Sequence, residues 1–347
     1  MEEAVSTSPV EDAVARVEGE LSAFWSAPDD ASGHAKVRAA TLNFVAAGSP
    51  SETESLRGAC DALTDTHAGR AFVLRIDGRI PPWAASTEVH AECRIDGAVP
   101  ICYDRIEIGF GAMAASRAAS VVRSLALPEV PIVVESGPGA PHALVDNLAP
   151  IADRLIVDSA HTPVARIEEL IRRAAGAVSD RAFVRTFSWR ELVARFFDSA
   201  PGAIAGIRRI EVARTPGGKQ DPAALFLGWM ASRLGWVLSS RTAAKSSSGG
   251  PIEIAVTDDP REGVDPGSLS AVRIATELGG QGLLLECSRT ESPGVVRWSM
   301  RGARSAEYEH RLGFRDETWV LVKAIDVVAS DRVYREAVLA ATEWSAL

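Results

Sequence analysis

Residues 102–136, CYDRIEIGFGAMAASRAASVVRSLALPEVPIVVES, contain the clearest fold signal in this chain. It begins with a predicted strand over 104–108, continues after Gly109 and Gly111 into a predicted helix over 112–125, and ends in a second predicted strand over 131–134. A strand, a helix and a strand in this order form a βαβ unit, and such units belong to parallel sheets. The stretch therefore predicts an α/β domain that contains parallel strands.

The turn between the first strand and the helix has the pattern of a dinucleotide-binding loop. Gly109, Gly111 and Ala114 read G-x-G-x-x-A, and Glu135 ends the next strand. In this pattern the glycines admit a pyrophosphate at the helix start, and the acidic residue binds a ribose hydroxyl. The alternative is a tight strand-to-helix turn without a ligand. The charged residues of the first strand favour this alternative, because a first strand of a dinucleotide fold is usually apolar throughout.

The rest of the chain divides into an N-terminal extension and two domains. Residues 1–33 carry a short amphipathic helix, 34–162 form an α/β domain around the βαβ unit, and 163–347 form an α+β domain. The first domain is predicted to hold a mixed sheet with covering helices. Closely spaced strands over 252–300 predict a largely antiparallel sheet with packed helices in the second. A helix of the first domain is predicted to start at Ser51, with Glu54 completing a capping box.

Two cysteines are predicted to face each other in a β-hairpin. The segments 88–95 and 101–108 alternate in polarity on either side of a turn at Gly97 and Ala98. A two-residue turn there places Cys93 directly opposite Cys102. Two interpretations stay open: two reduced cysteines packed as small apolar residues, or a redox-sensitive pair.

The composition excludes several classes of protein. The net charge of −9 argues against a general nucleic-acid binder, which needs a basic surface. No segment approaches 18 consecutive apolar residues, so no membrane span is expected, and the acidic N-terminus does not resemble a signal peptide. Four irregularly spaced cysteines in 347 residues indicate a reducing compartment, so a cytoplasmic location is expected. The spacing of the histidines and cysteines predicts no metal site. No known catalytic motif is recognised in the sequence. No cofactor is expected apart from the dinucleotide that the Gly109–Gly111 loop would bind.

Three segments, in order, resemble the glucose-6-phosphate dehydrogenase assembly protein family, OpcA. They are Leu125–Pro131, Asp158–Ser159 and the helix start Trp189–Arg190–Glu191–Leu192. Their order and spacing carry the resemblance, which covers residues 36–344. The chain departs from the family at Glu135–Ser136, where many members carry tryptophans.

The resemblance implies a function without catalysis. The protein would bind oligomeric glucose-6-phosphate dehydrogenase as an assembly factor and allosteric activator, and promote its active oligomer in the oxidative pentose phosphate pathway. Some relatives are linked to redox control, which would involve Cys93 and Cys102. Trp189 and Arg190, together with the N-terminal helix, are candidates for contact with the partner. The alternative is that these residues pack inside their own domain. The alternative function is an NAD(P)-binding protein that uses Gly109, Gly111 and Glu135.

Overall fold

A computed structural model of the chain describes residues 7–27, 37–38, 40–63, 66–96, 99–217, 222–292, 294–312, 316–326 and 332–347. The described residues form two compact units. The N-terminal unit runs to Val157 and also includes Arg172–Ser179 and residues 321–326. The C-terminal unit holds Asp158–Ile171, the residues from Asp180 to Val320, and the last helix. The chain therefore passes between the units more than once, and the predicted single boundary after residue 162 stays a prediction.

The strands and helices follow one another along the chain. Up to Asp180 they are β1 Thr7–Pro9, α1 Val10–Ser26, β2 Val37–Arg38, β3 Asn43–Gly48, α2 Thr53–Leu63, β4 Arg70–Ile76, β5 Ala84–Asp96, β6 Val99–Phe110, α3 Ala118–Leu125, β7 Ile132–Ser136, α4 His142–Leu148, β8 Arg154–Val157, α5 Val164–Arg173 and β9 Ala177–Asp180. After it they are α6 Arg181–Arg185, α7 Phe187–Ser199, β10 Arg209–Arg214, α8 Pro222–Leu234, β11 Val237–Ser240, β12 Ala243–Lys245, β13 Pro251–Asp258, β14 Leu269–Leu278, β15 Gln281–Arg289, β16 Val295–Gly302, β17 Ala306–Arg311, α9 Glu317–Asp326 and α10 Arg332–Ala346.

The sheet of the N-terminal unit has a doubly wound strand order. Its strands lie in the order β1-β5-β6-β4-β3-β7-β8-β9, and β2 pairs with β6. The strands β6, β4, β3, β7 and β8 pair in parallel, whereas β5 is antiparallel to β6 and β1 to β5. When the strands from β6 to β9 are numbered along the chain, their order is 3-2-1-4-5-6, which is the order of the dinucleotide-binding fold. The predicted α/β class and the mixed sheet are confirmed.

The βαβ pattern of residues 102–136 predicts two neighbouring parallel strands, but the structure separates them. Its two strands, β6 and β7, are not neighbours, because β4 and β3 lie between them. The first strand of the doubly wound order is β3, and α2 is the helix that follows it. The predicted helix over 112–125 begins as a 3-10 turn at Ala114–Arg117 and becomes α-helical only from Ala118.

A buried ion pair joins neighbouring strands of this sheet. The Arg70 side chain on β4 donates from Nε and Nη2 to the two carboxylate oxygens of Asp104 on β6, at 2.7 and 2.9 Å. The same guanidinium donates to the carbonyl oxygen of Leu125, the last residue of α3. The indole Nε1 of Trp25 in α1 donates to Asp104 at 3.3 Å. Both charged side chains are at least nine-tenths buried, so this network is part of the domain interior.

A buried amide fixes the chain that follows α3. The Asn43 side chain at the start of β3 donates to the carbonyl oxygens of Leu127 and Val130 at 3.1 and 3.2 Å. Its oxygen accepts from the amide of Leu127 at 2.7 Å. The side chain therefore uses both its donors and its acceptor to hold the turn that leads into β7.

The N-terminal segment belongs to the N-terminal unit. The strand β1 pairs with Ala84–Ser86 of β5, and α1 packs on β5 and α3. Val10, Ala13, Val17 and Leu21 recur every three or four residues and are buried. The apolar side of α1 thus covers its own domain. This side of α1 is not available to a partner, because it packs on β5 and α3. This corrects the expectation that the apolar side of the helix contacts a partner.

The C-terminal unit contains the predicted antiparallel sheet. Its strand order is β11-β12-β13-β10-β14-β15-β16-β17, and among these described strands only β10 and β13 pair in parallel. Side chains of α7 and α8 form its core together with one face of the sheet. The helices α8 and α10 approach closely at Gly228, where an added Cβ would lie 2.2 Å from the carbonyl oxygen of Ala337. Within the described residues, no helix combines the length and the apolar composition needed to cross a membrane.

Candidate functional site

The strand order places the expected ligand crevice of the N-terminal unit between the ends of β3 and β7. In doubly wound sheets, ligands bind at the carboxyl ends of the strands, where the strand order reverses. The strands β3 and β7 are the neighbours at this point, and they pair in parallel. The loop after β3 and the loop after β7 therefore meet at one edge of the sheet. The first of these loops leads through a 3-10 turn, Pro50–Glu52, into α2.

The carboxylate of Glu52 occupies this crevice. Its Oε2 accepts from the amide and from the hydroxyl of Ser49, each at 2.8 Å. Its Oε1 accepts from the amide of Gly139, in the loop after β7, at 2.8 Å. Backbone N–H groups at the start of a helix are the groups that bind a phosphate in this fold. Here the carboxylate of the same chain accepts from the amide of Ser49, the residue that precedes this helix start, and from the loop after β7.

The glycines of the two loops make room for this carboxylate. A Cβ added to Gly139 would lie 2.5 Å from Glu52 Oε2 and 2.9 Å from Ser49 Oγ. A Cβ added to Gly48 would lie 3.1 Å from the same Glu52 oxygen. The close backbone approach that a pyrophosphate requires in a dinucleotide fold is used here by a side chain.

The capping box at this helix start lies two residues before the predicted one. Ser49 and Glu52 form it, whereas the prediction named Ser51 and Glu54. The reason is the 3-10 turn, because it begins at Pro50, a residue that suits the first helical position. The serine and glutamate spacing is the same in both pairs, so the sequence alone does not separate them.

The predicted dinucleotide loop at Gly109 and Gly111 is filled by another segment of the chain. The amide of Gly111 donates to Ala84 O, and the amides of Met113 and Ala114 donate to Pro82 O, all at 2.9 Å. A Cβ added to Gly111 would lie 2.0 Å from the carbonyl oxygen of Pro81. The glycine is needed because the turn before β5 passes against it, and the amides that would hold a phosphate already have acceptors.

Glu135 does not join this loop. Three strand spacings separate β6 from β7, which is about 14 Å at the usual spacing. The Glu135 side chain is 4% exposed. Burial, together with the charge of Glu135, raises the pKa of the Cys60 thiol, so the carboxylate lies near α2. The pattern of Gly109, Gly111 and Glu135 is therefore not assembled into one site, which corrects the cofactor interpretation.

Cys93 and Cys102 are opposite each other, as the hairpin register predicts. They are joined by a disulfide. Cys102 is fully buried, and Cys93 is exposed. The turn residues Gly97 and Ala98, on which the prediction depended, lie outside the described residues. The interpretation as two separate reduced cysteines does not describe this structure, and the redox sensitivity of the pair stays a prediction.

One group of possible metal ligands lies on the same hairpin. Glu88, His90 and Glu107 bring their ligand atoms within 4.8 Å of one another. The two oxygens of Glu107 already accept from Nε and Nη2 of Arg57, at 2.6 and 2.7 Å. The guanidinium of Arg105 lies 3.4 Å from the same carboxylate. A third guanidinium, that of Arg75, lies 3.8 Å from Glu107. These three cations disfavour the binding of a metal ion, so this cluster is an ion-pair network.

The structure places the two predicted partner contacts at the start of α7. Trp189 is 3% exposed and belongs to the core of the C-terminal unit. Arg190 is half-buried; its Nη1 donates to Phe183 O at 2.6 Å, and its guanidinium lies 3.4 Å from the centre of the Phe183 ring. The prediction that Trp189 contacts a partner is corrected, because its side chain is buried in the core. The exposed aromatic residue of this helix is Phe187, which is 51% exposed and was not predicted as a contact.

The motif residue Asp158 belongs to an ion-pair network within the C-terminal unit. Its carboxylate accepts from Nη1 of Arg185 at 2.8 and 3.0 Å. Arg185 also contacts Glu317 at the start of α9, and Arg181 donates to the same carboxylate. Burial opposes ionisation of Glu317, but Arg185 prevails and lowers its pKa. Asp158, which carries part of the family resemblance, is thus held by a structural network of three elements.

A second motif residue, Ser159, contacts a buried carboxylate. The amides of Ser159, Ala182 and Phe183 lie 3.1, 2.8 and 3.4 Å from Oδ1 of Asp180. The hydroxyl of Tyr334 lies 3.2 Å from Oδ2. Burial, together with the charge of Asp158, raises the pKa of Asp180 to about 6. The carboxylate caps α6 and holds Tyr334 of α10 against it.

Two family models match consecutive parts of the chain. Residues 60–175 match the model of the N-terminal domain of a glucose-6-phosphate dehydrogenase subunit, and residues 176–338 match the model of its C-terminal domain. This chain belongs to the OpcA family. The resemblance that the sequence motifs indicate is confirmed.

Curated members of the family have similar sequences. A provisionally named OxPP cycle protein OpcA of Nostoc punctiforme is 32% identical over 161 residues, which are 43% of this chain and 34% of that protein. The corresponding protein of Synechococcus elongatus is 27% identical over 241 residues, which are 62% of this chain and 54% of that protein. The chain thus matches about a third to a half of the length of these relatives.

Several solved structures with a similar chain path are described as oxidoreductases. KijD10, a 3-ketoreductase from Actinomadura kijaniata, gives a TM-score of 0.46 at 9% identity, covering 87% of this chain and 95% of its own. An oxidoreductase from Sinorhizobium meliloti gives 0.45 at 12% identity, covering 86% of both chains. These similarities do not bear on the function.

The burial of Trp189 predicts a stability effect. Replacing Trp189 by alanine should lower the free energy of unfolding by about 3–5 kcal/mol, because it leaves a large cavity in the core. Chemical denaturation monitored by circular dichroism measures this change. Phe187→Ala on the same helix is the matched control and should change the value by less than about 0.5 kcal/mol. A Trp189→Ala protein of unchanged stability would contradict the core assignment.

The raised pKa of Asp180 predicts a pH dependence of stability. The folded protein holds a proton at Asp180 up to a pH of about 6, whereas the ordinary value is 3.8. This preference stabilises the fold fully below the ordinary pKa and is lost as the pH rises through the raised one. Relative to Asp180→Asn, the wild type should lose on the order of 2–3 kcal/mol of stability between these values. Unfolding titrations of both proteins at several pH values test this, and a constant difference would contradict it.

Proposed function

We propose that this chain is a non-catalytic partner of glucose-6-phosphate dehydrogenase that binds the enzyme and promotes its active oligomer. The observation that carries the proposal is the pair of family matches, which together run from residue 60 to residue 338. Both matched models are described as parts of a subunit of that dehydrogenase. The proposal includes a cytoplasmic location.

The closed crevice supports a role without catalysis. A dinucleotide fold acts as an oxidoreductase only when its crevice admits the cofactor. In this chain, Glu52 accepts the hydrogen bonds of Ser49 and Gly139 at that position. A diphosphate would have to displace a carboxylate that is already bonded to the helix start, and the two anions would repel each other. The geometry therefore favours the partner function over the NAD(P)-binding alternative.

An activator must distinguish between two states of the enzyme. A partner that binds the active and inactive arrangements equally well shifts neither population, however tightly it binds. The proposed function therefore requires that the chain bind the active oligomer more tightly. Couplings of this kind usually change affinity or activity by about 5- to 150-fold.

The first experiment measures the dehydrogenase of the same organism with and without this chain. We expect an increase in kcat/KM of at least about fivefold and a shift of the dehydrogenase to a larger species in sizing chromatography. Wild-type chain denatured by heat serves as the control. If the activity of the dehydrogenase and its size in chromatography both stay unchanged, the proposed function is wrong. Binding of NADPH by the isolated chain in calorimetry would instead restore the cofactor alternative.

We further propose that the Cys93–Cys102 pair makes this function responsive to redox conditions. Cys93 is the exposed residue of the pair, so we expect the thiolate of a dithiol reductant to attack its sulfur, and Cys102 would leave as the thiolate and take up a proton. The second thiol of the reductant then releases Cys93, so two electrons pass to the protein. Reduction removes the covalent link between β5 and β6 at this register position.

A comparison of reduced and oxidised protein tests the redox proposal. We expect the activation of the dehydrogenase to differ between chain treated with dithiothreitol and chain treated with oxidised glutathione. The difference should disappear in Cys93→Ser and persist in Cys60→Ala, because Cys60 is a buried free cysteine outside the hairpin. If Cys93→Ser keeps the full difference, the pair is not the sensor.

A further inference from the structure

An exposed tryptophan stands at the carboxyl edge of the N-terminal sheet. Trp83 lies in the turn between β4 and β5 and is 67% exposed, the largest value among the exposed large hydrophobic side chains of the described residues. Tryptophan is the residue type that most often dominates the energy of a protein interface. At this exposure, the Trp83 side chain is not part of the core.

The turn that carries Trp83 is held rigidly. The amide of Ala84 donates to Pro81 O at 2.9 Å, and Pro82 O accepts from the amides of Met113 and Ala114 at the same distance. Two successive prolines fix the backbone angle φ at their positions. The turn is therefore ordered before any partner binds, which lowers the entropy cost of binding.

The neighbouring turn extends the apolar surface. Because Pro82 O accepts from the amide of Met113, the turn after β6 runs beside the turn of Trp83. Met113 is 48% exposed, and Pro81, Pro82 and Ala112 are exposed as well. We call these five residues the Trp83 patch. Exposed apolar side chains grouped on adjacent turns are typical of interaction sites, and methionine adapts to the shape of a partner.

An exposed guanidinium lies beside the patch. Arg79 lies in the same turn as Trp83, and its side chain is 76% exposed, whereas its partner Asp77 is 8% exposed. The hydrogen bonds from Arg79 lower the pKa of Asp77 to about 2, so the ion pair persists at neutral pH. The guanidinium therefore faces the solvent while its counter-charge lies below it. A partner that presents carboxylates around an apolar pocket complements this surface.

We propose that the Trp83 patch is the surface on which the dehydrogenase docks. This inference rests on the proposed function. A small ligand does not suit the patch, because ligand sites are concave and enclose most of their ligand. A second copy suits it less well, because a two-fold contact centred on Trp83 brings two exposed Arg79 guanidinium groups toward each other. A different protein with an acidic rim avoids this repulsion.

Binding of full-length variants to the purified dehydrogenase tests the inference. Trp83→Ala should weaken the affinity measured by calorimetry at least about tenfold, with an intermediate effect for Met113→Ala. Both variants should unfold at the wild-type temperature, since the replaced side chains are exposed. Leu339→Ala is the matched control, because Leu339 is 50% exposed in the C-terminal unit, and it should bind like the wild type.

The contrary outcomes are distinct. If the wild type binds and Trp83→Ala binds equally well, the Trp83 patch is not the docking surface, and the proposed function stands. If the wild type does not bind the dehydrogenase, the proposed function fails, and this inference fails with it. If Trp83→Ala abolishes self-association in sedimentation experiments without affecting the dehydrogenase, a second copy occupies the patch and the inference is overturned.

Discussion

The buried ion pair between Arg70 and Asp104 sets the arrangement of the N-terminal sheet. Removing two charges from water costs several kcal/mol for each ion, and the attraction between them offsets this only when both groups are fully hydrogen-bonded. Here the remaining bonds come from the carbonyl of Leu125 and the indole of Trp25. The pair is therefore satisfied only when β4 lies beside β6 and when α1 and the end of α3 are in place. One interaction makes the positions of four elements depend on one another.

This dependence explains which part of the fold could be predicted. The strands, the helix of residues 102–136 and the α/β class follow from local patterns, since periodicity and turn residues act over a few positions. The strand order does not, because it is set by contacts such as Arg70–Asp104 between residues 34 positions apart. In the sequence, the charges of β6 argue against a buried strand. In the structure Asp104 and Glu107 are buried with arginine partners from β4 and α2, so the strand is interior and its charges are paired.

The site residues also divide into those whose role could be predicted from the sequence and those whose role could not. The Cys93–Cys102 register was predictable, because a hairpin with a short turn fixes its own pairing. The role of Gly111 was not, since a glycine beside a carbonyl oxygen of the same chain and a glycine beside a phosphate have the same sequence pattern. Trp189 was ambiguous for a related reason: tryptophan anchors both cores and interfaces. The Ser49–Glu52 spacing was the available signal for the closed crevice. It required knowledge that β3 is the first strand of the doubly wound order, and the sequence does not provide this.

A carboxylate supplied by the same chain has a lasting advantage over a dissolved anion at the start of α2. Glu52 is three residues from Ser49, so its effective concentration at these amides does not depend on the solution. A free phosphate must lose translational freedom to bind there, and Glu52 does not. The fold thus keeps the order of its loops without a cofactor, and the edge of the sheet is available for another purpose. The same edge carries the turns after β4 and β6, where the apolar surface is exposed. A domain whose crevice is filled from within and whose rim is apolar has the physical properties of a binding module.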